Sequence, residues 1–343
     1  MKPVPKQIHI IWLGSALPER SQVCVQTFTQ MNPDWWVNLW IDSAQLLTGQ
    51  RVDITKGYYE SKHGPGSFNV RKKQKLAHLL GDTATDDDTK RYLKDRFGFN
   101  SSVADLKKAM ALSFMEKFCS RHYITLRDIS EITGLNNNPF YQREMVRRGT
   151  NFGAASDILR VEILYRFGGV YFDTDVLCLE PLGSILAEQS HPRWAAVHNK
   201  WRNGRITREE WFGDEFWRQS GHMWPPGLSN SIIASHPKCQ GLDKYRAMIK
   251  ENYRQVDSGR LDFKYYDDMK NATIEMTGPA AVTRVTGFNK RYKETEGQAN
   301  KIENKKGKEA ALEFQFQECL YLRDHWYFPM YLISDQYFGS WWK

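Results

Sequence analysis

The chain has 343 residues, 41% of them hydrophobic and 26% charged, enough for a sizeable core and far from the composition of disordered chains. Its 48 Lys and Arg against 40 Asp and Glu leave a formal net charge of +8, which favours anionic partners such as phosphates, nucleic acid or a membrane surface. Five cysteines, Cys24, Cys119, Cys178, Cys239 and Cys319, are scattered and odd in number, which supports neither a disulfide framework nor a structural zinc site and favours a reducing compartment.

The opening MKPVPKQIHIIWLG has an apolar run too short for a signal-peptide core, and no stretch approaches the ~18 apolar residues of a membrane span. A soluble protein is therefore expected. Residues 7–14, QIHIIWLG, read as a buried strand, and WVNLWID (36–42) as a second one after the turn Asn32-Pro33-Asp34. From 44 to 150 the composition turns charged and helix-favouring, with little strand signal, which predicts a helical insertion. Within it Val103, Leu106, Met110 and Phe114 follow helical spacing, with Ser102 as a candidate N-cap. Residues 157–167, DILRVEILYRF, read as a helix capped by Ser156 and ended by Gly168-Gly169, followed by the strand VYFDTDVL. Downstream come an aromatic-rich loop region (194–227), a strand NSIIAS (230–235), a helix (238–256) and the turn Thr277-Gly278-Pro279.

The chemistry concentrates at VYFDTDV. Strand alternation would put Tyr171, Asp173 and Asp175 on one face. Two carboxylates there make an oxygen-rich site for a hard divalent cation, which would neutralise a diphosphate and act as a Lewis acid. A lone D-x-D is common by chance in turns and helix caps. The context comes from Asp157 and Arg160, three apart on one face of the preceding helix, where Asp can accept hydroxyl hydrogens and Arg can pair with phosphate or orient a carboxylate. By themselves those two would read as a surface ion pair.

The block D-I-L-R-x-x-x-L-x-x-x-G-G-x-Y-x-D-x-D, Asp157 to Asp175, resembles the glycosyltransferases of the D-x-D sugar-binding group, which include the catalytic domains of large clostridial cytotoxins and outer-chain mannosyltransferases. Further pieces agree in order: IHIIWLG, the strand ending WID, NSIIASHP at 230–237, TGP at 277–279 and GSW at 339–341. The resemblance implies an α/β fold of the GT-A type, a Rossmann-like mixed sheet flanked by helices, in a single catalytic domain over 1–343. The 44–150 helices would be an insertion and 328–343 a C-terminal lid. It also implies a UDP-sugar donor, Mn²⁺ or Mg²⁺, and retention of anomeric configuration. By similarity Trp12 would stack on the uracil, Asp157 and Arg160 would hold the donor sugar, Asp173 would contact ribose or sugar, and Asp175 would bind the metal. Tyr171 would line the donor pocket, and Asn230 would approach sugar or acceptor. Ser340 with Trp341 or Trp342 would close over the diphosphate. Where relatives carry a His before GSW this chain has Asp335-Gln336-Tyr337-Phe338, so the C-terminal metal ligand is Asp335, Ser340 or neither.

A catalytic core of this kind without a membrane anchor looks like the toxin and effector branch, acting on a protein acceptor from the bacterial cytoplasm or after translocation into a host cell. The alternative is a transferase building polysaccharide or lipopolysaccharide on a glycan or lipid acceptor, with the basic run Arg71-Lys72-Lys73-Gln74-Lys75 making peripheral membrane contact. A nucleic-acid-binding module is the remote alternative, and no nucleic acid partner is expected. Asp86-Asp87-Asp88 and Asp267-Asp268 read as solvated helix starts. The stretch 201–226, with Trp201, Trp211, Trp217 and Trp224, is either an acceptor-binding loop or a satellite hydrophobic cluster.

Overall fold

Near-continuous apolar runs form the centre of the main sheet. The computed structural model describes residues 1–68, 85–135, 138–146, 150–197, 206–223, 226–261 and 268–336. Strands β1 (Lys2–Pro3), β2 (Gln7–Ile11), β3 (Trp36–Ile41), β4 (Thr125–Asp128), β5 (Gly169–Phe172), β6 (Val176–Cys178), β7 (Leu186–Ala187), β8 (Arg193–Val197), β9 (Gly227–Ser235) and β10 (Ile333–Asp335) form a six-stranded sheet of order β4-β3-β2-β5-β9-β8 and two small pairs, β1-β7 and β6-β10. The β4-β3-β2-β5 half is parallel, and β9 runs antiparallel to both β5 and β8. Strands buried on both faces need apolar residues at every position rather than at alternate ones. This is why Ile8, Ile10, Ile11, Val37, Leu39 and Trp40 are all buried in one core with Ile158, Leu159 and Phe172.

The Gly-Gly step between the helix Phe152–Phe167 and β5 sets where the sheet meets that helix. Gly169 has φ +88°, and a Cβ there would lie 2.3 Å from the Gln7 carbonyl oxygen on β2, so only glycine lets the two strands pair at this point. His9 braces the same step. It lies fully inside the core, accepts from Trp40 Nε1 on Nδ1 (3.1 Å) and so carries its proton on Nε2, 3.1 Å from the Gly168 carbonyl.

Burial, with the nearby charge of Arg127, lowers the His9 pKa to about 3 despite the Gly168 bond. Its unfolded value is about 6.5, so the unfolded chain takes up the proton first. This contribution to stability is complete above pH ~6.5 and falls as pH drops toward 3, by up to about 1.4 kcal/mol per pH unit. Denaturant midpoints measured between pH 7 and 4 should decline in the wild type and flatten in His9→Gln. Parallel declines would show that His9 is not the titrating group.

Several expectations are corrected by the fold. The 44–150 segment is helical over Thr48–His63, Asp86–Phe97 and Ser101–Arg121, yet it also supplies β4, an edge strand of the main sheet. The helix Ser101–Arg121 is capped by Asn100, whose side chain accepts the Ser102 N–H, rather than by Ser102. Its buried side is Ala104, Met115, Phe118 and Cys119, which leaves Val103, Leu106, Met110 and Phe114 exposed.

The helix predicted to begin after Ser156 starts a turn earlier at Phe152, with Asn151 accepting from Ala154 N–H (3.3 Å), and Ser156 lies inside it. Asp86 is not a solvated residue. It is buried, accepts the Leu47 N–H (2.9 Å) and pairs with Lys108 (2.8 Å), whereas Asp88 closes a capping box with Thr85. Asp268 caps the helix Met269–Met276, and Asp267 lies outside the described residues, as does the basic run 71–75.

Trp211 and Trp217 are buried, edge-to-face at 5.2 Å, with Trp217 stacked on Tyr327 at 6.1 Å. These two rings therefore belong to the core and present no surface to an acceptor, because the indole of Trp217 is held by the Trp211 carbonyl (2.6 Å). Trp201 and Trp224 lie outside the described residues.

Candidate active site

At the carboxyl end of β2 and β5 a cleft of about 200 Å³ opens between Trp12, Leu13 and Ser15 on one side and Phe152, Ser156, Arg160, Tyr171, Asp173, Thr174 and Asp175 on the other. Clefts at this end of an α/β sheet are where nucleotides bind. Trp12 continues the β2 ladder through its N–H to Trp40 O (2.9 Å), and its indole is anchored to Ala16 O (3.1 Å). Phe152, which the sequence reading overlooked, is a second ring in the cleft wall. Gly14 makes room for it, since with φ +81° any Cβ there would sit 2.2 Å from the ring.

The D-x-D segment is not the continuous strand expected. β5 ends at Phe172 and residues 173–175 form a turn closed by Val176 N–H to Asp173 O (3.2 Å) before β6. The turn is tied on both flanks, by Asp173 N–H to Ser231 O on β9 and by Gln336 N–H to Asp175 O beyond β10 (both 2.9 Å). Tyr171 and Asp173 still come together, with the phenol donating to Asp173 Oδ1 (2.6 Å).

Arg160 is the hub. It is buried, its Nη2 is 3.1 Å from both Asp157 Oδ1 and Asp173 Oδ1, Nη1 donates to Asn230 O (2.7 Å), and Nη2 also reaches Ser156 Oγ (3.1 Å). Its guanidinium lies over the Tyr171 ring at 4.3 Å. Burial works against the Arg160 charge, but the carboxylates of Asp173 and Asp157 outweigh it and keep the group firmly protonated. Burial raises the Asp173 pKa against the pull of Arg160. It raises Asp157 to about 7, opposed by Arg160 and by hydrogen bonds from Thr277 and Asn230. The Tyr171 phenol is pushed up by burial and stays neutral.

Asp157 and Asn230 sit behind Arg160 rather than on the cleft wall. Asn230 Nδ2 donates to Asp157 Oδ1 (2.8 Å), and Thr277 Oγ1 donates to Asp157 Oδ2 (2.8 Å). Thr277 belongs to the TGP turn noted in the sequence, but its partnership with Asp157 carried no local signal.

Asp335 is brought beside the D-x-D turn by β10, which pairs antiparallel with β6 so that Asp335 faces Val176. The buried thiol of Cys24 registers both carboxylates: burial first, then the charges of Asp175 and Asp335, push it up to about 11. Asp175 and Asp335 are hard oxygen donors suited to Mg²⁺ or Mn²⁺. Among the described residues no three His, Cys, Asp or Glu side chains form a metal cage. Ser340, Trp341 and Trp342 lie outside the described residues, and with them most of the expected lid.

Residues 60–190 match the family model of the TcdA/TcdB catalytic glycosyltransferase domain. Toxin B of Clostridioides difficile is 26% identical over 205 residues, 52% of this chain and 8% of the toxin. The chain is a homologue of these toxin glycosyltransferase domains. The Legionella pneumophila "Subversion of eukaryotic traffic protein A" is 21% identical over 80% of this chain and 30% of its own length, so the chain spans less than a third of either relative.

Two solved structures carry the same fold as this chain. The catalytic domain of alpha-toxin from Clostridium novyi aligns with TM-score 0.63 at 14% identity, over 99% of this chain and 80% of the toxin domain. The UDP-bound glycosyltransferase domain from the YGT toxin aligns with TM-score 0.54 at 16% identity, over 85% and 79%. The architecture of the chain is accordingly the GT-A-type one. No helix among its described residues is long and apolar enough to cross a membrane.

Proposed function

We propose that the chain is a metal-dependent, retaining glycosyltransferase that moves a sugar from a UDP-linked donor to an acceptor hydroxyl on a protein. The observation that carries this is the Asp157–Arg160–Asp173 triad, with buried Arg160 over the Tyr171 ring and part-buried Asp173 in the wall of a nucleotide-type cleft. In this reading Trp12 takes the uracil, and Asp173 and Arg160 hold donor hydroxyls and phosphate. Asp157 and Asn230 fix Arg160 from behind.

The described cleft wall holds two carboxylates, Asp173 and Asp175, against one guanidinium. Alone, that wall would repel a diphosphate, which is the physical reason to place a divalent cation on Asp175 and Asp335. When bound, such an ion supplies Lewis-acid stabilisation of the leaving phosphate. The bond from the anomeric carbon to the β-phosphate oxygen breaks, the acceptor oxygen bonds on the same face, and the departing phosphate oxygen takes the acceptor's proton. Arg160 stabilises the charge that develops there.

Nucleotide release from a panel of UDP- and GDP-sugars with Mn²⁺ tests the class. One UDP-sugar should be hydrolysed in a Mn²⁺-dependent way. No turnover of any donor, with no donor-induced thermal shift, would overturn the proposal. An inverted product anomer by NMR would refute retention, and labelled sugar entering glycan or lipid instead of protein would refute the acceptor class.

A further inference from the structure

The face of Arg160 turned from the cleft rests on a polar chain buried between three helices. Thr277, at the end of the helix Met269–Met276, is fully buried and donates its hydroxyl to Asp157 Oδ2 at 2.8 Å, in preference to the more distant Thr273 carbonyl at 3.3 Å. The Thr277 carbonyl accepts from Asn230 Nδ2 (3.2 Å) and from the phenol of Tyr245, a buried residue of the helix Gln240–Asp257. One turn back, Thr273 O accepts the Thr277 N–H (3.1 Å), and its hydroxyl accepts from Asn151 Nδ2 (2.7 Å). Asn151 is the residue that caps the helix Phe152–Phe167. Thr273 and Thr277 therefore grip that helix at two points, its N-cap and Asp157.

We propose that Thr277, backed by Tyr245, is a positioning residue of the transfer reaction. It orients the Asp157 carboxylate, and through it the Arg160 guanidinium, toward Asp173 and the cleft. The proposal rests on the transferase reading above. Its physical basis is that a carboxylate with both oxygens held by neutral donors, Thr277 and Asn230, has one orientation left in which to meet Nη2 of Arg160. Freed of the hydroxyl, the carboxylate can rotate and take the guanidinium with it. A shift of a fraction of an ångström in a charge that must match the transition state is expensive in rate.

Thr277→Val keeps the shape and removes only the hydroxyl. For hydrolysis of the UDP-sugar that the wild type uses, kcat/KM should fall about 10- to 100-fold, mostly in kcat, while Thr277→Ser should stay within about threefold. Tyr245→Phe, which keeps the ring, should lower kcat/KM about fivefold and provides the test should Thr277→Val fail to fold. A purely structural role would lower the melting temperature of Thr277→Val or Tyr245→Phe and leave kcat and KM at wild-type values. That outcome, with an active wild type, overturns this inference alone. A wild type that turns over no donor overturns the transferase reading and this inference with it.

Discussion

Arg160→Ala should lower UDP-sugar turnover by about 10²- to 10³-fold and destabilise the fold by about 3–5 kcal/mol. Both effects have one source. The side chain is the cation between buried Asp157 and part-buried Asp173, and its removal leaves the two carboxylates with no charge between them. Arg160→Lys restores the charge but cannot reproduce the fork that spans Asn230 O, Ser156 Oγ and both carboxylates, so it should recover stability in part and activity poorly. Urea denaturation alongside hydrolysis assays would check this. An Arg160→Ala protein with wild-type midpoint and turnover within threefold would remove the triad from the mechanism.

Asp175→Asn should have the second largest effect with the opposite profile. The residue lies in a half-exposed turn whose backbone is stitched to Gln336, so stability should change by no more than about 0.5 kcal/mol. Activity should fall by about 10²- to 10³-fold, because a carboxylate that holds a divalent cation cannot be replaced by a neutral amide. Chelation with EDTA should silence the wild type and Mn²⁺ should restore it. Asp335→Asn should raise the Mn²⁺ concentration needed for half-maximal turnover. If Asp175→Asn and the wild type show the same Mn²⁺ dependence, the cation is held elsewhere.

Much of the site could be read before any coordinates because it is local in sequence. Asp157 and Arg160 share a helix turn, the double glycine ends that helix, and Tyr171 at the end of β5 is only two residues from Asp173 in the turn that follows. What escaped was set by partners distant in the chain. Asp86 looks like a solvated helix start until Leu47 and Lys108 close over it. The tryptophans at 211 and 217 could read as a binding surface until they are seen packed edge-to-face on each other, with Tyr327 stacked on Trp217. The exposure of Val103, Leu106, Met110 and Phe114 has the same origin, since helical spacing defines a face without saying what lies opposite. The break of the D-x-D segment into a turn needs both Ser231 and Gln336, neither of which its own sequence announces.

The antiparallel pair β6-β10 joins positions on either side of nearly half the chain, Val176 with Asp335. A polypeptide emerging from its N-terminus can therefore pair β2 with β5 and seat Arg160 well before β10 arrives to flank Asp175. Closing so long a loop is a late step, because its entropy must be lost before any contact rewards it. Assembly of the carboxylate pair would then report completion of the whole fold: a chain cleaved between 287 and 332 and separated from its last strand would retain the residues that hold the triad, Asn230 and Thr277 included, and lose the partner of its D-x-D turn.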